Sequence, residues 1–458
     1  MIRLPLHQHP APPPHVPRHL SSTSVPFTSC SDTVYFSPVT LGTPPQSFQL
    51  LLDTGSSDTW VFSSSCFASS SCPPDVTNFF DSASSSSFRE IHPRESFSIS
   101  YMDGDGVSGY QAVDALSFAP SLSVPAQTFA LIDDTDGFAV VCKEDGILGM
   151  AFQSVSVNDV PTPLQNLAAA GLIDPVFGFY LSGNTSYTEN GDGPVGELTL
   201  GGYDPAHFVG ELTWAPVVER TLAQIYPDAD LSNFTAAELA ATRPSGFWDF
   251  DIERVHLQVP GEALHAVSGR RAAVVDTGTS LIYAPYRDAM EIFHGMGATC
   301  YFTDLETSED ERLFIPSPCF PQDRDLLQFE FALAPCSVPV TLSFEIGGKW
   351  FDVTERDLLY RDVPPGSEAE PVACDEGMGG VVDCAGQCLD ADDTRWIGDR
   401  ECDSGPYGIF FNCPRFECDQ GDCGGGDCFE EEMCFVQVSV NGFGDESYLL
   451  GDVFMRPV

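Results

Sequence analysis

Leu51-Leu52-Asp53-Thr54-Gly55-Ser56-Ser57 returns 223 residues later as Val274-Val275-Asp276-Thr277-Gly278-Thr279-Ser280. Each copy is an apolar pair, then Asp-Thr-Gly, then two hydroxyl residues. A shorter echo follows each: Ile147-Leu148-Gly149 in the first half and Leu449-Leu450-Gly451 in the second. A lone Asp-Thr-Gly is ordinarily a turn, because Asp and Gly dominate turns. Two copies in the same apolar setting, each with its own echo, predict two similar lobes.

The motif has a definite chemistry. An apolar strand carries its Asp toward a buried position, and the following Gly allows a sharp turn. Neighbouring hydroxyls donate hydrogen bonds that orient a carboxylate. If a two-fold relation brings Asp53 and Asp276 together, both cannot ionise cheaply, so the pair shares one proton. Such a pair holds a general base and a general acid at once. It can activate water against a peptide carbonyl with neither a covalent intermediate nor a metal.

Around the motif the chain reads as mostly β. Val34-Tyr35-Phe36, Val39-Thr40-Leu41 and Phe48 to Leu52 are strand-like and are separated by Gly, Pro and Ser. Helical patterns are few, at Thr162 to Ala170, Ala236 to Ala241 and Tyr286 to His294. Gly104-x-Gly106-x-x-Gly109 spells a dinucleotide fingerprint, but no βαβ unit follows it. Asp390 to Glu401 lacks the sixth-position Gly of an EF-hand.

Composition narrows the function classes. Lys and Arg number 20 against 67 Asp and Glu in 458 residues, a formal charge of −47. That charge excludes nucleic acid as a partner and disfavours an anionic membrane surface. Solubility or a salty medium accounts for it, and so does work at low pH. Sixteen cysteines without a metal-ligand pattern predict disulfides in an oxidising compartment. The acceptors Asn184-Thr185-Ser186 and Asn233-Phe234-Thr235 agree with a secreted glycoprotein. Residues 1–28, rich in Pro and His, lack the apolar core of a signal peptide and read as a disordered leader. Residues 29–215 and 216–458 read as an N-terminal and a C-terminal lobe. Within the second, 372–430 reads as a disulfide-rich insert.

The chain resembles the pepsin-like aspartic peptidases over roughly 32–220 and 245–458. The resemblance rests on Asp32 to Phe36, Gly42 to Gln46, Asp53 to Trp60, Phe80-Asp81 with Ser84 to Phe88, and Phe97 to Tyr101. It continues through Asp145 to Phe152, Gly196 to Trp214, Asp276 to Ser280 and Gly451 to Phe454. It implies a mostly β, bilobal fold with pseudo-two-fold lobes and a central cleft, and an endopeptidase with an acid pH optimum. Asp53 and Asp276 are the implied catalytic pair. Ser56 and Thr279 match the hydroxyls on the outer carboxylate oxygens, and Gly55 and Gly278 the backbone beside the pair. Tyr101 matches the tip of a mobile lid, Trp60 its support, and Leu51 and Phe138 the main side-chain pocket. Polypeptide substrates, a monomer, no catalytic cofactor and a secreted, vacuolar or lysosomal location complete the expectation. The alternative is a catalytically silent homologue that binds or adheres through the same cleft.

Several features depart from the family pattern. Tyr101 to Gly109 is one residue longer than the usual lid. Glu144 stands where pepsin has an aromatic pocket wall, which predicts tolerance of a basic side chain. The segment before Asp32 does not resemble the family's basic prosegment. The chain stops soon after Gly451-Asp452, so the second lobe is expected to be truncated at its end. Trp396 to Cys423 resembles a Notch-type repeat with a longer Cys402–Cys413 gap. That resemblance makes Asp399, Asp403, Asp419 and Asp422 candidate calcium ligands, with a loop of solvated acids as the alternative. The family's first lobe implies Cys66–Cys72. Cys336–Cys434 is expected across the insert, and Cys300–Cys319 and Cys30–Cys142 are pairings by elimination.

Overall fold

The computed structural model describes residues 3–5, 22–30, 34–69, 72–73, 76, 78–101, 104–138, 140, 144–181, 196–221, 235, 242–244, 246–304, 314–317, 319, 327–360, 433–441 and 447–456. Two apolar cores organise it. One draws on residues from Val25 to Leu200 together with Trp248, the other on residues from Phe250 to Phe454. A smaller cluster around Trp60, Phe62 and Phe97 adjoins the first.

The N-terminal half builds a 12-stranded sheet. Strand Gln46–Asp53 runs antiparallel to Val34–Leu41 and parallel to Gly146–Gly149. Gly146–Gly149 in turn pairs antiparallel with Thr59–Phe62. The C-terminal half repeats this arrangement. Arg271–Val275 lies parallel to Ser447–Leu450, which pairs antiparallel with Ile282–Ala284. The two echoes therefore do the same work: each supplies a strand that wedges between the arms of an Asp-Thr-Gly loop. The echo glycines are required by close approach. A Cβ on Gly149 would stand 2.3 Å from the Ser57 backbone, and one on Gly451 2.2 Å from the Thr279 carbonyl.

Two of the three sequence-predicted helices are seen. Pro163–Ala169 starts with a capping box, in which the Thr162 hydroxyl accepts from Gln165 N–H and Gln165 Oε1 accepts from Thr162 N–H. Tyr286–Gly295 buries Ala289, Met290, Ile292 and Phe293 on one face. Ala236 to Ala241 lies outside the described residues. Among those described, no helix is long and apolar enough to cross a membrane.

The leader expected over 1–28 is corrected in two places. Thr23–Cys30 is a strand between Gly196–Leu200 and Val34–Leu41, with Val25 and Phe27 buried. Arg3–Pro5 pairs with Val176–Leu181. Pro26 disguised the first of these, since Pro usually argues against an interior strand. Here it occupies an exposed position of the alternation. Disulfides join Cys66 to Cys72, Cys300 to Cys319 and Cys336 to Cys434. Cys142, the glycosylation acceptors Asn184 and Asn233, and the whole 372–430 insert with Asp399, Asp403, Asp419 and Asp422 lie outside the described residues.

Candidate active site

The two loops meet across the lobes through their threonines. Thr54 N–H donates to Thr277 Oγ1 at 3.0 Å, and Thr277 N–H donates to Thr54 Oγ1 at 3.0 Å. The Thr54 hydroxyl donates to the Val275 carbonyl at 2.9 Å, and the Thr277 hydroxyl to the Leu52 carbonyl at 2.5 Å. All four bonds are buried. Each threonine thus gives and accepts in both directions and locks one loop to the other.

This grip sets the aspartates side by side. Asp53 Oδ1 accepts the Gly55 N–H at 2.7 Å, and its Oδ2 accepts the Ser56 hydroxyl. Asp276 Oδ1 accepts the Gly278 N–H at 2.8 Å, and its Oδ2 accepts the Thr279 hydroxyl at 2.7 Å. The donor sets match atom for atom. The glycines matter for space as well as for the turn. A Cβ on Gly55 would lie 2.5 Å from the Asp276 carboxylate, and one on Gly278 2.5 Å from Asp53 Oδ1.

Both carboxyls are buried. Burial pushes the Asp53 carboxyl well above the ordinary carboxylate range, and the neighbouring Asp276 charge pushes it further. The Ser56 and Gly55 donors oppose that rise without cancelling it. Two buried carboxyls this close cannot both ionise cheaply, which favours a state in which they share one proton. Such a pair offers one oxygen to take a proton from water and another to give one to a carbonyl.

Tyr101 lies at the turn between strands Ser96–Ser100 and Gly106–Ala119. Its N–H donates to the Asp105 carbonyl at 2.7 Å, and its own carbonyl accepts the Gly104 N–H at 3.1 Å. Trp60 Nε1 donates to the Tyr101 hydroxyl at 2.7 Å. Phe138 sits edge-on to Trp60 at 5.3 Å and 6.1 Å from the Tyr101 ring. Leu51, Tyr101 and Phe138 all pack, partly buried, on the cluster around Trp60. Sequence reading had grouped these four residues by resemblance, and the structure brings them together. Gly104, Gly106 and Gly109 belong to this hairpin. Glu144 is buried just before strand Gly146–Gly149. Its neighbour Asp145 is raised by burial and, to a lesser degree, by the Glu144 charge.

Two features escaped the sequence. The roles of Thr54 and Thr277 were missed, although the duplication held the signal: the same hydroxyl residue stands at the same place in both copies. Asp58 was also missed. It is buried with Val157 N–H donating to Oδ2 at 3.0 Å, and burial pushes its carboxyl up to about 6.

The family description "Eukaryotic aspartyl protease" matches residues 34–369. The chain is 35% identical to the vacuolar aspartic protease of Candida albicans over 285 residues, covering 62% of this chain and 58% of that protein. It is 32% identical to human napsin-A over 350 residues, covering 74% and 66%. It is 34% identical to vacuolar protease A of Aspergillus fumigatus over 289 residues, covering 62% of each. The chain thus spans about three-fifths of the length of these relatives. A match that runs through both aspartate loops and most of the intervening chain makes this protein a member of the eukaryotic aspartyl protease family.

Proposed function

We propose that the protein is an aspartic endopeptidase that hydrolyses polypeptides in acid. The observation that carries this reading is the pair Asp53–Asp276, held by matched donors and locked by the Thr54–Thr277 grip. In the proposed reaction one carboxylate removes a proton from water. The resulting hydroxide attacks the scissile carbonyl carbon while the partner carboxyl protonates the carbonyl oxygen. The tetrahedral diol then collapses. One carboxylate takes back a hydroxyl proton as the leaving nitrogen is protonated, and the C–N bond breaks. The shared proton is lost as pH rises, because the raised titration of Asp53 is then passed. Activity belongs on the acid side.

Leu51, Phe138 and Tyr101 supply the apolar pocket wall in this reading, and Glu144 biases the pocket toward a basic side chain. The intact pair, with a donor on every carboxylate oxygen, disfavours the silent-homologue alternative. The names of the fungal relatives support a vacuolar or equivalent lumenal site. The cysteine usage supports an oxidising one. We place a monomer there, glycosylated at Asn184 and Asn233 and without affinity for nucleic acid. The insert's Asp399, Asp403, Asp419 and Asp422 are assigned to calcium on the chemistry of an all-oxygen set. Calcium titration of the full chain tests that assignment.

The decisive experiment is hydrolysis of an unfolded protein from pH 2 to 8 by the wild type and by Asp53→Asn. Acid activity confined to the wild type establishes the pair. A folded wild type without activity anywhere supports the silent homologue.

A further inference from the structure

Strands Val176–Leu181 and Gly196–Leu200 place Tyr180 directly opposite Glu197. The chain then turns into a short 3-10 helix, Pro205–His207, capped by Asp204, whose Oδ1 accepts the Ala206 N–H at 2.8 Å. This turn lays the His207 ring flat on Tyr180, centroids 3.8 Å apart and planes 10° from parallel. Glu197, Asp204 and His207 then each offer one ligand atom within 4.8 Å of one another.

With His207 protonated these are ion pairs, but loose ones, and with His207 neutral the same spacing leaves room for a shared ion. Nε2 of His207 stands 3.5 Å from Glu197 Oε1 and 3.9 Å from Asp204 Oδ2. A charge-assisted N–H···O bond closes to about 2.7–2.9 Å. Ligands about 2.1 Å from one metal ion lie about 3.4 Å apart in a tetrahedron and about 3.0–4.2 Å apart in an octahedron. The 3.5 Å separation is close to a tetrahedral edge, and 3.9 Å falls between the adjacent and the opposite positions of an octahedron.

The donors are also oriented beforehand. The Thr199 hydroxyl donates to Glu197 Oε1 at 2.9 Å. The cap bond occupies Asp204 Oδ1 and leaves Oδ2 on the histidine side. Stacking on Tyr180 fixes the plane of the imidazole. Outer contacts of this kind orient the ligands of metal sites. The three side chains are 22–38% exposed, which leaves room for an ion to enter and for water to fill its remaining positions.

We propose that Glu197, Asp204 and His207 form a binding site for a divalent transition cation of the zinc class. One imidazole nitrogen with two carboxylates suits such an ion better than calcium or magnesium, which take oxygen. The ion pins the turn after strand Gly196–Leu200 to the sheet. The site is separate from the dyad and does not rest on the proposed peptidase activity.

The test uses the full, disulfide-intact chain, stripped with chelator, at neutral pH. Cobalt(II) reports coordination by its visible absorption, and calorimetry with zinc alone gives affinity. The expected result is one saturable site from which zinc displaces cobalt and a large excess of calcium does not. His207→Ala and Glu197→Gln lose at least about tenfold in affinity, and Thr199→Val loses about tenfold through the orienting bond. Asp204→Asn keeps the cap acceptor, and so the local fold, while it removes a ligand charge. Zinc raises the thermal midpoint of the wild type and not of Asp204→Asn. Absence of a saturable site overturns the proposal. So does a folded His207→Ala or Asp204→Asn that binds zinc as the wild type does, because binding then belongs to other carboxylates.

Discussion

The two aspartate loops are near copies at the carboxylates and diverge five residues later. Asp53 and Asp276 receive the same donors at the same atoms. Beyond them, Asp58-Thr59-Trp60 in the first loop faces Leu281-Ile282-Tyr283 in the second. The first loop thus carries a buried acid and an indole that holds Tyr101. The second carries an apolar residue where the acid would be. The chemistry requires symmetry only at the carboxylates. In the proposed mechanism the Tyr101 hairpin is the lid and needs a partner on one side only, which leaves each loop free to differ outside the shared atoms.

Removing either carboxylate tests the symmetric part and gives the largest effect. Asp53→Asn and Asp276→Asn are each expected to lower kcat by about 10³-fold or more, with folding retained by circular dichroism. A large difference between the two would show that the copies are not equivalent in the reaction.

Asp58 tests the asymmetric part. Its carboxyl is raised from 3.8 to about 6 in the fold. Between those values the folded state binds more protons than the unfolded chain, so stability falls as pH rises from about 4 to about 6. The full loss is about 3 kcal/mol, set by the size of the shift. Asp58→Asn keeps an acceptor for Val157 N–H and is expected to recover about that much above pH 6, with no gain at pH 3. Denaturant titrations at both pH values measure it. An unchanged pH slope would remove Asp58 from the account.

The grip comes next. Thr54→Val and Thr277→Val each strand buried partners on the opposite loop, at a cost of about 1–3 kcal/mol apiece. The two singles break different bonds, two on each hydroxyl, but all four hold the same pair of loops together. Once either set is lost the loops can shift, so the double mutant should cost less than the sum of the singles. Additive losses would show that the threonines act separately. The smallest effect is expected at the lid. Trp60→Phe removes one hydrogen bond to Tyr101 and should lower kcat/KM about fivefold, a change of about 1 kcal/mol.

The duplicated strands and loops were legible because their pattern is local and repeated. The donors at Ser56 and Thr279 were legible for the same reason. The Thr54–Thr277 contacts join residues 221–225 positions apart, and no local window contains both ends. Asp58 reads as one more polar residue in a turn. Only burial at the base of the loop gives it a raised titration. Strand Thr23–Cys30 was hidden by Pro26, and strand Arg3–Pro5 is too short to show a period. The Glu197, Asp204 and His207 cluster needed the Tyr180 register and the 3-10 turn, neither of which composition reveals.

The wedge strands also fix when the site can exist. Strand Ser447–Leu450 enters between the arms of the second loop only after nearly the whole described chain has been made. The 223 residues between Thr54 and Thr277 alone take roughly 10–45 s to synthesise at 5–20 residues per second. During that interval Thr54 has no opposite number and Asp53 has no partner carboxylate. The nascent N-terminal lobe emerges chemically incomplete, and a proposed protein-cutting centre is assembled only as the last wedge slides home.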